Sequence, residues 1–272
     1  MTTPTPVRTR REWIAFVVVG LIGGFLSGSF GVGGGIVMVP LLIWLTGMDQ
    51  RRASATSLAA IVPSVVVGSI GYLIHGEVDL LAALALAIGT VPGALIGTRL
   101  LRRLPLSVLR WGFVVLLVII ALRLIFGGAD RGGEVDQNVL TFALLVLVGV
   151  VTGICSGLFG VGGGVIMVPV LVAGFGAGDL VAKGTSLVAM IASSTVGTVS
   201  NSRAGLVDLR AALVVGVAAT AISYVGVLVA LAMPARLSAV LFGILLLISS
   251  TQLALRAIRL QRAAKRQPIA QA

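Results

Sequence analysis

Two glycine clusters that interrupt apolar stretches are the features of this sequence with the clearest chemical potential. Ser27 to Pro40 reads SGSFGVGGGIVMVP, and Ser156 to Pro169 reads SGLFGVGGGVIMVP. A helix that breaks at such a cluster exposes backbone N–H groups, and within a membrane no water is present to bind them. The positive end of a helix dipole at the same point favours an anion. The clusters therefore predict an anion-binding site.

The predicted site combines the N–H groups of both clusters with nearby hydroxyl groups and one ammonium group. Thr56 and Ser57, like Thr185 and Ser186, lie at the start of a predicted helix, where a hydroxyl either caps the helix or reaches a ligand. Lys183 either attracts an anion or extends to the membrane interface. The predicted substrate-binding residues are Ser29, Gly31, Gly33, Gly34, Gly35, Thr56, Ser57, Gly160, Gly162, Gly163, Gly164, Lys183, Thr185 and Ser186.

The glycine clusters also fit a purely structural role, and the residue types of the chain exclude several classes of site. Close helix packing accounts for glycines equally well, because the residue tolerates a tight turn and lets backbones approach. A nucleotide site is excluded, since GVGGG lacks the Lys-Ser/Thr ending of a phosphate loop. The chain has one histidine, His75, and one cysteine, Cys155. We therefore predict no catalytic residue, no metal site and no cofactor, and hence no enzyme.

Composition indicates the class of protein. Hydrophobic residues make up 58% of the chain and charged residues only 11%, and several apolar runs approach the length that spans a bilayer. The sequence thus predicts an all-α, polytopic integral membrane protein. The net charge of +11 comes from short basic clusters between apolar runs, a pattern typical of cytoplasmic loops beside anionic lipid rather than of a nucleic-acid-binding protein.

The whole chain reads as a duplication. At an offset of 129 residues, 13 of the 20 positions in Gly23–Leu42 are identical to those in Thr152–Leu171. Such self-similarity at one fixed period indicates two homologous halves. We predict a cytoplasmic N-terminal segment (1–12), a first membrane repeat (13–126), a linker (127–138), a second membrane repeat (139–256) and a basic cytoplasmic tail (257–272).

Each half contains five apolar segments, and the second is short. In the first half they are Trp13–Ser29, Gly35–Thr46, Ala53–Ile74, Leu80–Leu100 and Ser107–Phe126. A segment of about 12 residues covers only ~18 Å of a core of ~30 Å, so it predicts a broken or re-entrant helix after the glycine cluster.

The distribution of basic residues predicts how the halves are oriented. If the chain turns back at each glycine cluster, 16 of the 20 Lys and Arg residues lie on the cytoplasmic side, and only Arg123, Arg131, Lys183 and Arg236 lie outside. If each cluster instead belongs to a single crossing, the division is about 12 to 8. The positive-inside rule favours the first arrangement, which predicts inverted-topology repeats with both termini cytoplasmic.

The motifs resemble those of the sulfite exporter TauE/SafE family. Each GxFGVGGGxxxVP motif is followed by an (A/G)TSL motif, Ala55–Leu58 or Gly184–Leu187, and then by a G-x-V-D turn, Gly76–Asp79 or Gly205–Asp208. The resemblance implies a permease of the bacterial inner membrane that moves sulfite, organosulfonates or related small anions, with protons as the coupling ion.

We therefore predict a secondary transporter that works by alternating access at a central site between the two clusters. Two alternatives use the same residues: a passive anion channel, and a membrane scaffold whose glycines only pack helices.

Overall fold

The protein is all-helical in the part of the chain that the structure describes. This computed structural model describes residues 9–126, 133, 135 and 138–266, with side chains to residue 259. The ten helices are α1 (Arg10–Phe30), α2 (Gly35–Thr46), α3 (Gln50–Ile74), α4 (Leu80–Arg103), α5 (Leu106–Phe126), α6 (Val139–Phe159), α7 (Gly164–Phe175), α8 (Asp179–Arg203), α9 (Leu209–Ala232) and α10 (Ala235–Arg266).

Eight of these helices are long and apolar enough to cross a membrane, and the two short ones are α2 and α7. The all-α fold and the polytopic membrane class are therefore confirmed. Most of the predicted N-terminal segment (1–12) and linker (127–138), and the last residues of the predicted tail (257–272), lie outside the described residues.

The duplication in the sequence recurs in the helices. Every helix of the first half begins 129 residues before its counterpart in the second half, from α1 at Arg10 and α6 at Val139 to α5 at Leu106 and α10 at Ala235. The local signals that start the helices are repeated as well: Asp79 caps α4 and Asp208 caps α9, each through a carboxylate that accepts an N–H three residues later. Residues that are equivalent in the two halves are called mates.

The halves are joined by two close helix–helix contacts, α1 with α9 and α4 with α6, which are lined by small residues and are called seams below. A Cβ built on Gly20, Gly24 or Gly28 of α1 would lie 2.0–2.4 Å from a carbonyl oxygen of α9, at Val215, Ala219 and Ser223 respectively. Gly89, Gly93 and Gly97 of α4 make the same approach to α6. Glycine at every fourth position allows such close backbone contact between membrane helices. Because the contacting residue numbers rise together in both seams, the paired helices are parallel.

The centre of the bundle is formed by α3 and its mate α8. Leu58 of α3 lies against Gly197 of α8, whereas Tyr72, near the other end of α3, lies against Gly184. The two helices are thus antiparallel, although they are equivalent in the repeat. They have the largest buried share of the eight long helices, and each leads directly from a short helix that follows a glycine cluster.

Candidate functional site

Each glycine cluster reverses the direction of the chain. The helix α1 ends at Phe30, and Gly31 closes it in the left-handed conformation with φ of 68°. The chain then returns along α1, since a Cβ on Gly34 would lie 2.0 Å from the carbonyl oxygen of Gly23. The second half turns in the same way between α6 and α7. The broken, returning helix expected from the sequence is thus present in both halves.

The two reversals contact each other at the centre of the protein. A Cβ on Gly35 would lie 2.5 Å from the carbonyl oxygen of Gly160, and one on Gly164 would lie 2.5 Å from that of Gly31. The mates Ile61 and Met190 lie beside both segments. The two contacting segments, residues 31–35 and 160–164, are called the central crossing. All of these residues are buried, so the central crossing is closed to solvent in the present conformation.

The backbone donors at the crossing have no partners. Within the described part of the chain, no hydrogen bond is formed by any N–H from Val32 to Ile36, and the same is true from Val161 to Val165. Neither α2 nor α7 has a side-chain cap. Buried backbone N–H groups are rarely left unpaired, because each one costs free energy comparable to a lost hydrogen bond. Two clusters of such donors, each at a helix N-terminus, can together bind an anion.

Ser27 and Ser156 add two hydroxyl groups that the predicted site did not include. Both are fully buried, and neither Oγ atom has a hydrogen-bond partner among the described residues. The Cβ of Ser156 lies 3.6 Å from the Cβ position of Gly163, and Ser27 is its mate. The sequence contained the signal, since this serine recurs in both halves. The predicted Ser29 is also buried without a partner, but its mate is Leu158.

The other predicted hydroxyls join the two halves. Thr56 accepts a hydrogen bond from the N–H of Asp208, at 3.1 Å, and Thr185 accepts one from the N–H of Asp79, at 2.9 Å. These bonds hold the N-cap residues of α9 and α4 against the opposite half. The threonines lie inside α3 and α8, two turns from the helix starts, and therefore cap neither helix.

The predicted serines next to them hold the glycine segments. Ser57 donates a hydrogen bond to the carbonyl oxygen of Gly160, at 3.1 Å, and Ser186 donates one to that of Gly31, at 2.6 Å. Each half thus fixes the turn of the other. The hydroxyls of Ser57 and Ser186 orient the backbone of the crossing rather than point unpaired at a ligand.

Replacing Ser186 with alanine is expected to lower the free energy of unfolding by about 1–3 kcal/mol, because the buried Gly31 carbonyl loses its donor. Thermal unfolding of the purified protein in detergent measures the change. Ser69→Ala is the matched control, since the hydroxyl of Ser69 only bonds the Val66 carbonyl within its own helix. Equal stability of the two variants would contradict a role of Ser186 in holding the turn.

Lys183 lies beside the crossing and is buried. Its Cα is 2.5 Å from the Cβ position of Gly31, and its Nζ atom lies 2.6 Å from Oδ2 of Asp179 and 2.8 Å from Oγ of Ser238. Only 2% of its surface is exposed, so the side chain is held inside the protein by Asp179 and Ser238. The two interpretations left open by the sequence, attraction of an anion and extension to the membrane interface, both stay predictions.

Comparisons with known proteins agree with the motifs. The chain matches the sulfite exporter TauE/SafE family over residues 2–124 and 145–272. The probable membrane transporter protein YunE of Bacillus subtilis is 29% identical over 225 residues, which cover 74% of this chain and 82% of that protein. A probable membrane transporter protein of Xylella fastidiosa (strain 9a5c) is 29% identical over 208 residues, 75% of this chain and 80% of its own.

A more distant relative has a similar description. The probable membrane transporter protein MJ0441 of Methanocaldococcus jannaschii is 26% identical over 162 residues, 57% of this chain and 60% of its own. No solved structure matches the chain. The relatives are named transporters, which agrees with the prediction that the chain is not an enzyme. The chain is a membrane transporter of the sulfite exporter TauE/SafE family.

Proposed function

We propose that this protein is a secondary transporter of small oxyanions, of the sulfite or organosulfonate type, and that the anion binds at the central crossing. The observation that carries the proposal is the pair of buried, unpartnered N–H clusters, Val32–Ile36 and Val161–Val165. An anion with several oxygen atoms can accept bonds from both clusters at once. The hydroxyls of Ser27 and Ser156 supply further donors.

The way in which the halves meet supports alternating access. The mates α3 and α8 run antiparallel, and the seams pair α1 with α9 and α4 with α6. We infer that the halves are inverted across a bacterial inner membrane, with both termini cytoplasmic and the repeats spanning 13–126 and 139–256. A site on the axis between inverted repeats can open to either side when one half rocks against the other. The Ile61 and Met190 side chains close the crossing in the present conformation.

Electrostatics support an anionic substrate. The N-termini of α2 and α7 both lie at the crossing, so the positive ends of two helix dipoles reach the same region. Lys183 is the buried cation nearest to the Gly31 turn. Basic residues on the proposed cytoplasmic side, such as Arg102 and Arg103 in the last turn of α4, are suited to anionic lipid headgroups.

The double variant Ser27→Ala and Ser156→Ala tests the site. Both hydroxyls lack partners, so their removal is expected to leave thermal stability unchanged, whereas anion uptake falls by about tenfold or more because two donors to the ligand are lost. Uptake of sulfite, sulfate, thiosulfate and methanesulfonate into proteoliposomes is the measurement. Ser250→Ala in α10, whose hydroxyl bonds the Leu247 carbonyl of its own helix, is the control.

Two results would contradict the proposal. Undiminished uptake by a correctly inserted double variant would exclude Ser27 and Ser156 from the site. Flux that neither saturates nor shows trans-stimulation would indicate a channel rather than a carrier.

A further inference from the structure

A buried ion pair lies at one side of the crossing, and among the described residues its mates in the other half form none. The ammonium of Lys183 is 2.6 Å from the Asp179 carboxylate and 2.8 Å from the Ser238 hydroxyl. The three residues are 2%, 4% and 1% exposed. Ionisable groups inside a membrane protein are costly, and they commonly mark ion or substrate pathways.

A cavity lies beside this cluster and reaches the residue that precedes the glycine segment. Its volume is about 40 Å³, and its lining includes Asp179, Lys183, Ser238, Phe30 and Phe242. The rings of Phe30 and Phe242 are stacked, with centroids 4.7 Å apart. Phe30 directly precedes Gly31, the residue that contacts Lys183. The cavity thus lies between the ion pair and the end of α1.

The first half has neutral residues at the three equivalent positions, and its equivalent cavity is lined instead by the cations Arg256 and Arg259. The mates of Asp179, Lys183 and Ser238 are Gln50, Ser54 and Leu109, and all three are buried. The aromatic packing beside these positions is alike, since Phe113 and Phe159, the mates of Phe242 and Phe30, are also stacked. Because the fold tolerates neutral side chains at these three positions in the first half, it does not need an ion pair at the same positions in the second. Buried ion pairs are in any case a weak source of stability, because desolvation offsets their attraction.

We propose that the Lys183–Asp179 pair is a proton-coupled exchange site, which rests on the proposed function of anion transport. The carboxylate of Asp179 takes up one proton and becomes a neutral acid. It then leaves the ammonium, and a monovalent anion takes its place against Lys183 and Ser238. The sum of charges is zero before and after the exchange, so neither state contains an uncompensated buried charge. One proton accompanies each anion, and no bond within the anion is changed.

The groups around the pair are consistent with a path from the proposed outer side. Arg123 of α5 lines the cavity and is exposed, so it can attract an anion to the opening. Among the described residues, Tyr72 of α3 and Glu77 of the turn after it are titratable residues beside this region, since both contact Gly184, the residue next to Lys183. Arg236 of α10 bonds the carbonyl of Ile125, at the end of α5.

The test uses methanesulfonate, whose charge is fixed near neutral pH, with thiosulfate as a divalent comparison. Wild-type and variant proteins are placed in proteoliposomes that contain a pH-sensitive dye. For the wild type, we expect methanesulfonate entry to acidify the lumen and its apparent affinity to weaken by up to ~10-fold for each unit rise in pH, as linkage of one proton requires. For Asp179→Asn, which mimics the protonated acid, we expect both the pH dependence and the proton movement to disappear.

A second variant remains informative if Asp179→Asn fails to fold. Asp179→Gln combined with Lys183→Ser copies the neutral residues of the first half, and it is expected to fold and to bind methanesulfonate more weakly by about tenfold or more. Gln50→Asn, at the mate of Asp179, is the control and should retain the wild-type pH dependence.

The outcomes separate this proposal from the one on which it rests. If the wild type moves none of sulfite, sulfate, thiosulfate and methanesulfonate, the proposed function is wrong and the exchange site is wrong with it. If the wild type moves methanesulfonate or thiosulfate without protons, or if Asp179→Asn still moves protons, only the exchange site is wrong. Sulfite transport without transport of either probe would also overturn the exchange site and leave the proposed function standing.

Discussion

Alanine at Gly34 is expected to prevent the protein from folding, whereas alanine at the mate Gly163 is expected to give a folded protein. Both residues have positive φ, 71° and 96°, so both substitutions carry about 1–2 kcal/mol of backbone strain. The difference lies in the space around them. A Cβ on Gly34 would lie 2.0 Å from the backbone oxygen of Gly23, but on Gly163 the nearest atom, the Thr152 carbonyl oxygen, is 3.2 Å away.

The asymmetry has a cause in the sequence. Gly23 and Thr152 are mates, and the absence of a side chain at Gly23 lets the returning chain lie directly against α1. A backbone oxygen within a helix cannot move aside without breaking its hydrogen bond, so the clash at Gly34 has no easy relief. At Gly163, a shift of a few tenths of an ångström accommodates the new methyl group.

The yield of monodisperse protein on gel filtration, followed by thermal unfolding, measures the contrast. Gly174→Ala is the control, since Gly174 lies in α7 with only a side-chain atom of Val170 near its Cβ position, at 3.8 Å. Alanine there should stabilise the helix by up to about 1 kcal/mol. If Gly34→Ala folds as well as Gly174→Ala, the chain does not lie against Gly23. Gly163→Ala is therefore the glycine variant suited to transport assays.

The repeat and the helix breaks could be predicted from the sequence because they depend on local composition and on a fixed period. The glycine cluster, the short apolar segment after it and the 129-residue offset are all visible without any contact between distant residues. The seams could have been found as well, since Gly20, Gly24 and Gly28 follow a four-residue spacing that indicates close helix packing.

The partners of the site residues could not be predicted in the same way. The hydroxyls of Thr56 and Ser57 bond backbone groups in the opposite half, at Asp208 and Gly160, and such pairs form only when the halves pack. Asp179 is buried beside Lys183, a contact that the sequence analysis did not anticipate. The pair could have been predicted from the sequence, because Asp179 and Lys183 are four residues apart and residues i and i+4 share a helix face.

If the halves are inverted, cysteines placed at two equivalent positions are expected to show an all-or-none difference in labelling from outside the cell. His75 and Ala204 are mates that end α3 and α8, and both are exposed. Because α3 and α8 are antiparallel, we expect cysteines at these two positions to lie on opposite sides of the membrane, His75→Cys outside and Ala204→Cys in the cytoplasm. Asp179 is unsuitable for labelling, since it is buried.

A membrane-impermeant maleimide applied to intact cells, in a background with Cys155→Ala, should label His75→Cys and leave Ala204→Cys unmodified. After permeabilisation both variants should react to a similar extent, which controls for accessibility of the thiol. Labelling of both positions in intact cells would mean that the halves are parallel. The central crossing would then lack the two-fold axis through which one anion can face each side of the membrane in turn, and alternating access by rocking of inverted halves would have to be abandoned.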